Sequence, residues 1–219
     1  MIAPDNPMYE PERWFNEKVA EKCVGALKRN GFAAYYAKTR DEARKIVLDA
    51  IPAGASVGIG GSVTVRDLGI HQALKERGNP VYDHWDASLS PAEKAVARDN
   101  QVKADVFLSS TNALTMDGAL VNTDGSGNRV ASMIFGPKIS VVVCGYNKMV
   151  PDLRAAVQRI RRFAAPVNYR RLNASAPCVE GGDCKACEPK SCRITTIIEA
   201  KPAAKAEFVV VNVGEKLGY

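Results

Sequence analysis

The chain has 219 residues, 46% of them apolar and 25% charged, enough for one sizeable core and too balanced for a disordered segment. No run of about 18 apolar residues occurs, so no membrane span is expected. Thirty basic against twenty-four acidic residues give a net charge of +6, which suits an anionic small molecule and matches no nucleic-acid motif.

The first stretch, MIAPDNPMYEPERWF, carries acids and prolines instead of a basic segment followed by an apolar one. It does not read as a secretory signal, so the expected compartment is the cytoplasm, where thiols stay reduced. From Glu10 to Asn30 apolar residues recur at helical spacing, and Gly31 stands where a C-cap belongs. FAAYYA (32–37) reads as a strand. TRDE (39–42) has capping-box spacing and opens a helix to about Ala50. ASVGIG (55–60) is a strand running into glycines, Thr64 to Arg77 a helix, and VYDHW (81–85) a short strand. SPAE (90–93) is a second capping box with proline at its first helical position.

DVFLSS (105–110) is a buried strand. The following ALTMDGALVNTDGSGNRV is expected to form short strands with turns at Asp117–Gly118 and Asp124–Gly125. ISVVVCG (139–145) is the most β-branched run and should be a central strand. Pro151 to Phe163 is a helix. ITTIIEA and EFVVVNV close the chain as strands, paired with each other or added to the sheet edge. Strand and helix alternate over most of the length, which implies an α/β fold with a largely parallel sheet and helices on both faces. It forms a single domain, 1–219. Residues 1–171 are the α/β core with its N-terminal helix, and 172–219 hold a cysteine-rich loop and the closing strands.

Two stretches carry chemistry. In SVGIGGSVTVRDLGI (56–70) a buried strand ends at glycines and a helix begins. Gly60 and Gly61 let an anion approach the backbone, Ser62 and Thr64 add hydroxyls, and the helix start offers free N–H groups. The guest expected there is a phosphate or carboxylate on a small anionic substrate. The turn lacks the Gly-Lys-Ser/Thr ending of a P-loop and the full G-x-G-x-x-G, and a plain packing role fits it equally well.

The second stretch, APCVEGGDCKACEPKSCRIT (176–195), holds Cys178, Cys184, Cys187 and Cys192. A cytoplasmic setting disfavours disulfides, and a redox pair at Cys184–Cys187 leaves the other two unexplained. Four thiolates match the ligand count of one zinc ion or one 4Fe–4S cluster, with Lys185, Lys190 and Arg193 near enough in sequence to offset their charge. Cys23 and Cys144 read as small core residues.

Catalytic candidates are Asp124 and Arg129, in a turn richer in polar groups than one turn needs, and Lys148, just past the central strand. The two histidines, His71 and His84, read as structural, and the arginines of RIRRFAAPVNYRR (159–171) as a solvated face or an anion-binding strip.

Four pieces together, VGIGGSVTVRDLG (57–69), TNALTMDGALVNTDGSGNRVA (111–131), PKISVVVCGYNKMVPD (137–152) and the APVNYRR-to-cysteine tail from Ala165, resemble the LUD domain, named for lactate utilisation, in its LutC-like single-domain branch. The resemblance implies a NagB/RpiA/CoA-transferase-like fold whose Gly60–Thr64 turn holds a phosphate or acyl group. It also implies company with iron–sulfur electron-transfer proteins, which favours the 4Fe–4S cluster over zinc. The expected role is a subunit or accessory in oxidation of L-lactate or a related organic acid. An enzyme acting on a phosphorylated or acyl substrate beside structural zinc, and a non-enzymatic anion- or redox-sensing module, are the other readings. Not all LutC-like members carry four cysteines in the tail.

Overall fold

Local capping chemistry sets the first elements of this computed structural model, which describes residues 6–182, 184 and 187–219. Residues 1–5 of the opening segment and Lys185 of the cysteine loop lie outside the described residues. Helix α1 (Glu10–Arg29) buries Val19, Cys23 and Leu27, and strand β1 (Ala33–Ala37) follows it. At the start of α2 (Arg40–Asp49) the Thr39 hydroxyl accepts from the Glu42 N–H at 3.2 Å. The Glu42 carboxylate turns back to the N–H of Lys38, one residue earlier than a reciprocal capping box would place it.

Strand β2 (Val57–Ile59) leads into α3 (Val63–Asp67) and then α4 (Ile70–Glu76). The single helix expected over 64–77 is thus broken in two, because Gly69 adopts φ +62°, a left-handed conformation that ends one helix and starts the next. Strand β3 (Val81–Asp83) and helix α5 (Pro91–Lys103) come next, the latter with a complete Ser90–Glu93 capping box. Strands β4 (Val106–Ser110), β5 (Ala113–Thr115) and β6 (Leu120–Asp124) follow. Asp117–Gly118 turns β5 into β6 as expected, but Asp124–Gly125 does not produce a further strand. The chain enters α6 (Asn128–Ile134) instead, and the Asp124 carboxylate accepts the Val130 N–H at 3.1 Å.

Strand β7 (Ile139–Gly145) is followed by β8 (Met149–Val150). The helix expected to end at Phe163 continues: α7 (Leu153–Arg159) passes through a π-helical turn (Ile160–Ala164) into α8 (Ala165–Arg171). Pro166 lacks an N–H to donate back along an α-helix, and the wide turn just before it absorbs that defect. Short α9 (Pro177–Gly181) opens the cysteine loop, and β9 (Ile194–Ile198) and β10 (Glu207–Val213) close the chain.

Six strands form a wholly parallel sheet in the order β1-β10-β7-β4-β2-β3. The closing strands are not paired with each other. β10 lies inside the large sheet between β1 and β7, and β9 lies at the edge of a second sheet, β8-β5-β6-β9. The near-continuous apolar run of Phe208–Val213 is the mark of a strand buried on both faces. Alternation along the strands sorts the core. Val141, Val143, Val209 and Val211 face α2, α3 and α4. Val142, Cys144, Phe208 and Val210 face α1, α6 and the small sheet. Beyond that sheet Ala156 of α7 and Ile160 of the π-helical turn pack onto Ala113 and Val121. Cys23 and Cys144 are core residues, their thiols pushed up by burial to about 11 and about 12. Among the described residues no helix is long and apolar enough to cross a membrane.

Candidate functional site

Loops that leave the carboxyl ends of β2, β3, β4 and β7 converge on one cavity of about 350 Å³. Open parallel sheets bind ligands in that position, because successive loops there diverge and leave a crevice. Gly61, Ser62 and Thr64 come from the turn after β2, Trp85 from the turn after β3, Ser110 from the end of β4 and Lys148 from beyond β7. Asp124 and Arg129 reach it from the small sheet and α6, Arg171 from α8, and Cys192 from the cysteine loop.

The glycine turn divides its work. Gly60 is not on the cavity wall: it packs inward, and a Cβ there would lie 2.8 Å from the Phe107 ring and 3.3 Å from the Arg129 side chain. Gly61 is on the wall, and the Trp85 indole lies over it so closely that no Cβ would fit. Ser62 caps α3, accepting from the Val65 N–H at 3.3 Å. That helix is only five residues long, so its dipole is small, and the side chains must supply most of any anion affinity.

Thr64 supplies its hydroxyl to Lys148. The Lys148 Nζ donates to Thr64 Oγ1 and to Ser110 Oγ, each at 2.9 Å, and the residue is 3% exposed. Burial lowers the amine to about 7, and the Arg159 and Arg129 guanidiniums push the same way.

Asp124 and Arg129 are brought together, but as partners of one another. Arg129 Nη2 lies 2.5 Å from Asp124 Oδ1, Nε 2.9 Å from the same oxygen, and Nη1 2.7 Å from Asn122 Oδ1. Nη2 also donates to Asn112 Oδ1 at 2.9 Å and to the Thr123 carbonyl at 3.0 Å. The guanidinium is thus consumed in joining β4, β6 and α6, and its charge is offset by Asp124. The cations left on the wall are Arg98 and Arg171, beside the Lys148 amine, with Asp124 the only carboxylate side chain among the described lining residues. Such a wall suits an anion.

Sequence reasoning missed His84, Trp85, Arg98, Tyr169 and Tyr219, all on the wall. Arg171 comes from the arginine run, and its guanidinium stacks on Trp85 at 4.1 Å and donates to the Tyr219 hydroxyl at 2.6 Å. A usable signal was present for His84 and Trp85, which directly follow a strand of the alternating pattern. For α8 the arginine run was the signal, since Arg171 belongs to it, but nothing marked Tyr169, because the helix was expected to stop at Phe163.

The cysteine loop is tied to this cavity. Arg193 N donates to the Asp124 carbonyl at 2.9 Å and β9 then pairs antiparallel with β6, which fixes Cys192 beside the site. Cys178 is buried on α9, Cys187 half-buried, and Cys184 and Cys192 exposed. Burial raises the thiols of Cys178 and Cys192, and the other cysteines of the loop raise them further, so the four sulfurs share one electrostatic neighbourhood. Among the described residues no three His, Cys, Asp or Glu side chains are gathered closely enough to hold a metal ion as they stand. Four soft thiol donors in one loop nonetheless suit zinc or an iron–sulfur cluster, and not magnesium or calcium.

The fold and cavity define an α/β protein with a polar, arginine-bearing cavity at the strand ends. The sequence matches the LUD domain over residues 20–213, and the chain belongs to that family. A crystal structure of a DUF162 family protein from Deinococcus radiodurans is similar, with a TM-score of 0.55 and 15% identity, covering 90% of this chain and 98% of that one. At that identity the likeness shows the fold. No curated protein matches.

Proposed function

We propose that this LUD-family chain serves oxidation of L-lactate or a related organic acid, as a subunit or accessory. It holds the small organic anion in the cavity at the strand ends, with a 4Fe–4S cluster on Cys178, Cys184, Cys187 and Cys192. The observation that carries the reading is that Lys148 and Cys192 line the same cavity, so an anion site and a soft-metal donor set adjoin. Arg98 and Arg171 supply the charge for a carboxylate, and His84 and Tyr219 supply polar contacts for a hydroxyl or carbonyl. Oxidising a 2-hydroxy acid to a 2-oxo acid removes two electrons and two protons. A bound cluster would supply single-electron transfer, and iron–sulfur partner proteins would serve as the electron acceptors.

Anaerobic purification followed by iron, sulfide and zinc analysis tests this. Roughly four iron and four sulfide per chain, with a visible spectrum that shifts on adding L-lactate, is the expected result. One zinc with no sulfide would overturn it, making the loop a structural clip and the cavity a site for a phosphorylated or acyl anion.

A further inference from the structure

Lys148 is the buried ionisable group whose surroundings are least explained by anion binding alone. A lysine intended only as a charge is normally left partly in water or paired with a carboxylate. Here both partners are hydroxyls. Thr64 Oγ1 points its own proton toward the Leu217 carbonyl at 3.4 Å and Ser110 Oγ toward the Thr111 carbonyl at 3.3 Å, so both accept from Lys148. A neutral amine has two N–H groups and one lone pair. The two hydroxyls take the two N–H groups, and what remains on the nitrogen, in the cavity wall, is the lone pair.

The charged and titratable groups around it reinforce that state. Burial is the largest influence and lowers the amine; the Cys144 thiol of β7 comes next and opposes it, Arg159 of α7 and Arg129 of α6 then disfavour a third positive charge, and Asp67 of α3 opposes them least. Asp67 is itself engaged, accepting from the Gly218 N–H at 2.8 Å. A desolvated amine beside other cations is the usual way to make lysine nucleophilic at neutral pH. Arg98 and Arg171 stand on the same wall and offer a carboxylate its counter-charge. An amine and a carboxylate-binding group in one small cavity match a molecule carrying a carbonyl and a carboxylate.

We infer that Lys148 forms a covalent imine with a small 2-oxo acid bound in the cavity, an inference that rests on the reading of this cavity as an organic-anion site. The nitrogen lone pair forms the C–N bond at the carbonyl carbon, and the carbonyl π pair moves to oxygen and takes up a proton. That proton is one of the two on nitrogen; the restored nitrogen lone pair then closes the C=N bond as the hydroxyl takes up a second proton, matched by loss of the last N–H proton, and leaves as water. Amine and carbonyl become imine and water with no change of oxidation state. The 2-oxo acid is the product class of 2-hydroxy acid oxidation, so the lysine would hold the product or pass it to a step that uses the imine as an electron sink.

The test uses the anaerobically purified full chain with pyruvate and cyanoborohydride at neutral pH, followed by peptide mapping. Pyruvate binding to the same sample is measured by calorimetry. The expected result is reductive labelling concentrated on the Lys148 peptide, with the exposed Lys38 and Lys75 unmodified, and its loss in Lys148→Arg and Lys148→Met. Pyruvate binding without labelling of Lys148, or labelling spread over exposed lysines, overturns the imine and leaves the organic-anion site standing. No binding of pyruvate and no label overturns both.

Discussion

The indole of Trp85 lies so close over Gly61 that a Cβ built on the glycine would meet Cε2 and Nε1 at 2.5 Å. The other face of the site adds to this, since the Arg171 guanidinium stacks on the same ring at 4.1 Å. Gly61 is therefore required for close approach of an aromatic ring, and through that ring it sets the position of a cation on the cavity wall. Gly61→Ala must displace Trp85. The cost expected for such overpacking is about 1–3 kcal/mol in urea unfolding, and the lost stacking should weaken anion binding about tenfold or more. The chain has two tryptophans, and Trp14 is exposed, so a change in emission reports Trp85. Wild-type affinity in the alanine variant would reduce the turn to architecture.

How much of this was legible in the sequence follows from what each signal depends on. The N-cap at Thr39, the capping box at Ser90, the β-branched run of β7 and the glycine turn are local, and each stands where its local chemistry puts it. The place of β10 was not legible, because insertion between β1 and β7 is decided by partners about seventy residues or more away in the chain. The site shows the same division. Lys148 was found by its position after a central strand. That Asp124 and Arg129 would neutralise each other was hidden, because both oxygens of one turn residue must be followed to α6 to see it.

Arg129 joins three elements, so its removal should act on stability before it acts on ligand. In Arg129→Ala the Asp124 carboxylate, Asn112 and Asn122 all lose a donor in a part-buried setting. Breaking one side of such a pair costs about 3–5 kcal/mol. Arg129→Lys should recover only a part of this, since one ammonium cannot reach acceptors that a planar fork spans. Denaturant unfolding of the two variants checks the order. A loss below about 1 kcal/mol in the alanine variant would show the network to be dispensable.

Lys148 makes stability depend on pH in a definite direction. Its amine is held at about 7 when folded, against 10.5 as the ordinary value. Between those values the unfolded chain binds a proton that the folded chain does not, so stability rises with pH across that window. Below about 7 both states are charged and the penalty of burying the charge is fully present. Lys148→Met removes that contribution. The variant should gain most relative to wild type at acidic pH, by an amount on the order of a few kcal/mol, and the difference should shrink as pH rises toward 10.5. Thermal unfolding of both proteins over that range measures it, and parallel pH profiles would refute a neutral Lys148.

His84 offers a check on the cavity that needs no variant. Gln101 Nε2 lies 2.8 Å from the Ile59 carbonyl and 3.2 Å from the Tyr82 carbonyl, and both of those atoms only accept. The amide nitrogen, not its oxygen, must therefore face them, and the same group lies 2.9 Å from His84 Nδ1. Nδ1 accepts, so the neutral ring carries its proton on Nε2 and has a donor to offer. Burial, aided by Arg98, lowers the pKa of the ring from its ordinary 6.5. The folded chain then resists protonation that the unfolded chain accepts, and stability falls as pH drops from about 6.5 through the lower folded value. Long-range ¹⁵N–¹H NMR of the imidazole should show the Nε2-protonated tautomer at neutral pH and a midpoint below 6.5. The opposite tautomer would mean that Gln101 is turned around, and the donor assigned to this wall of the cavity would be an acceptor.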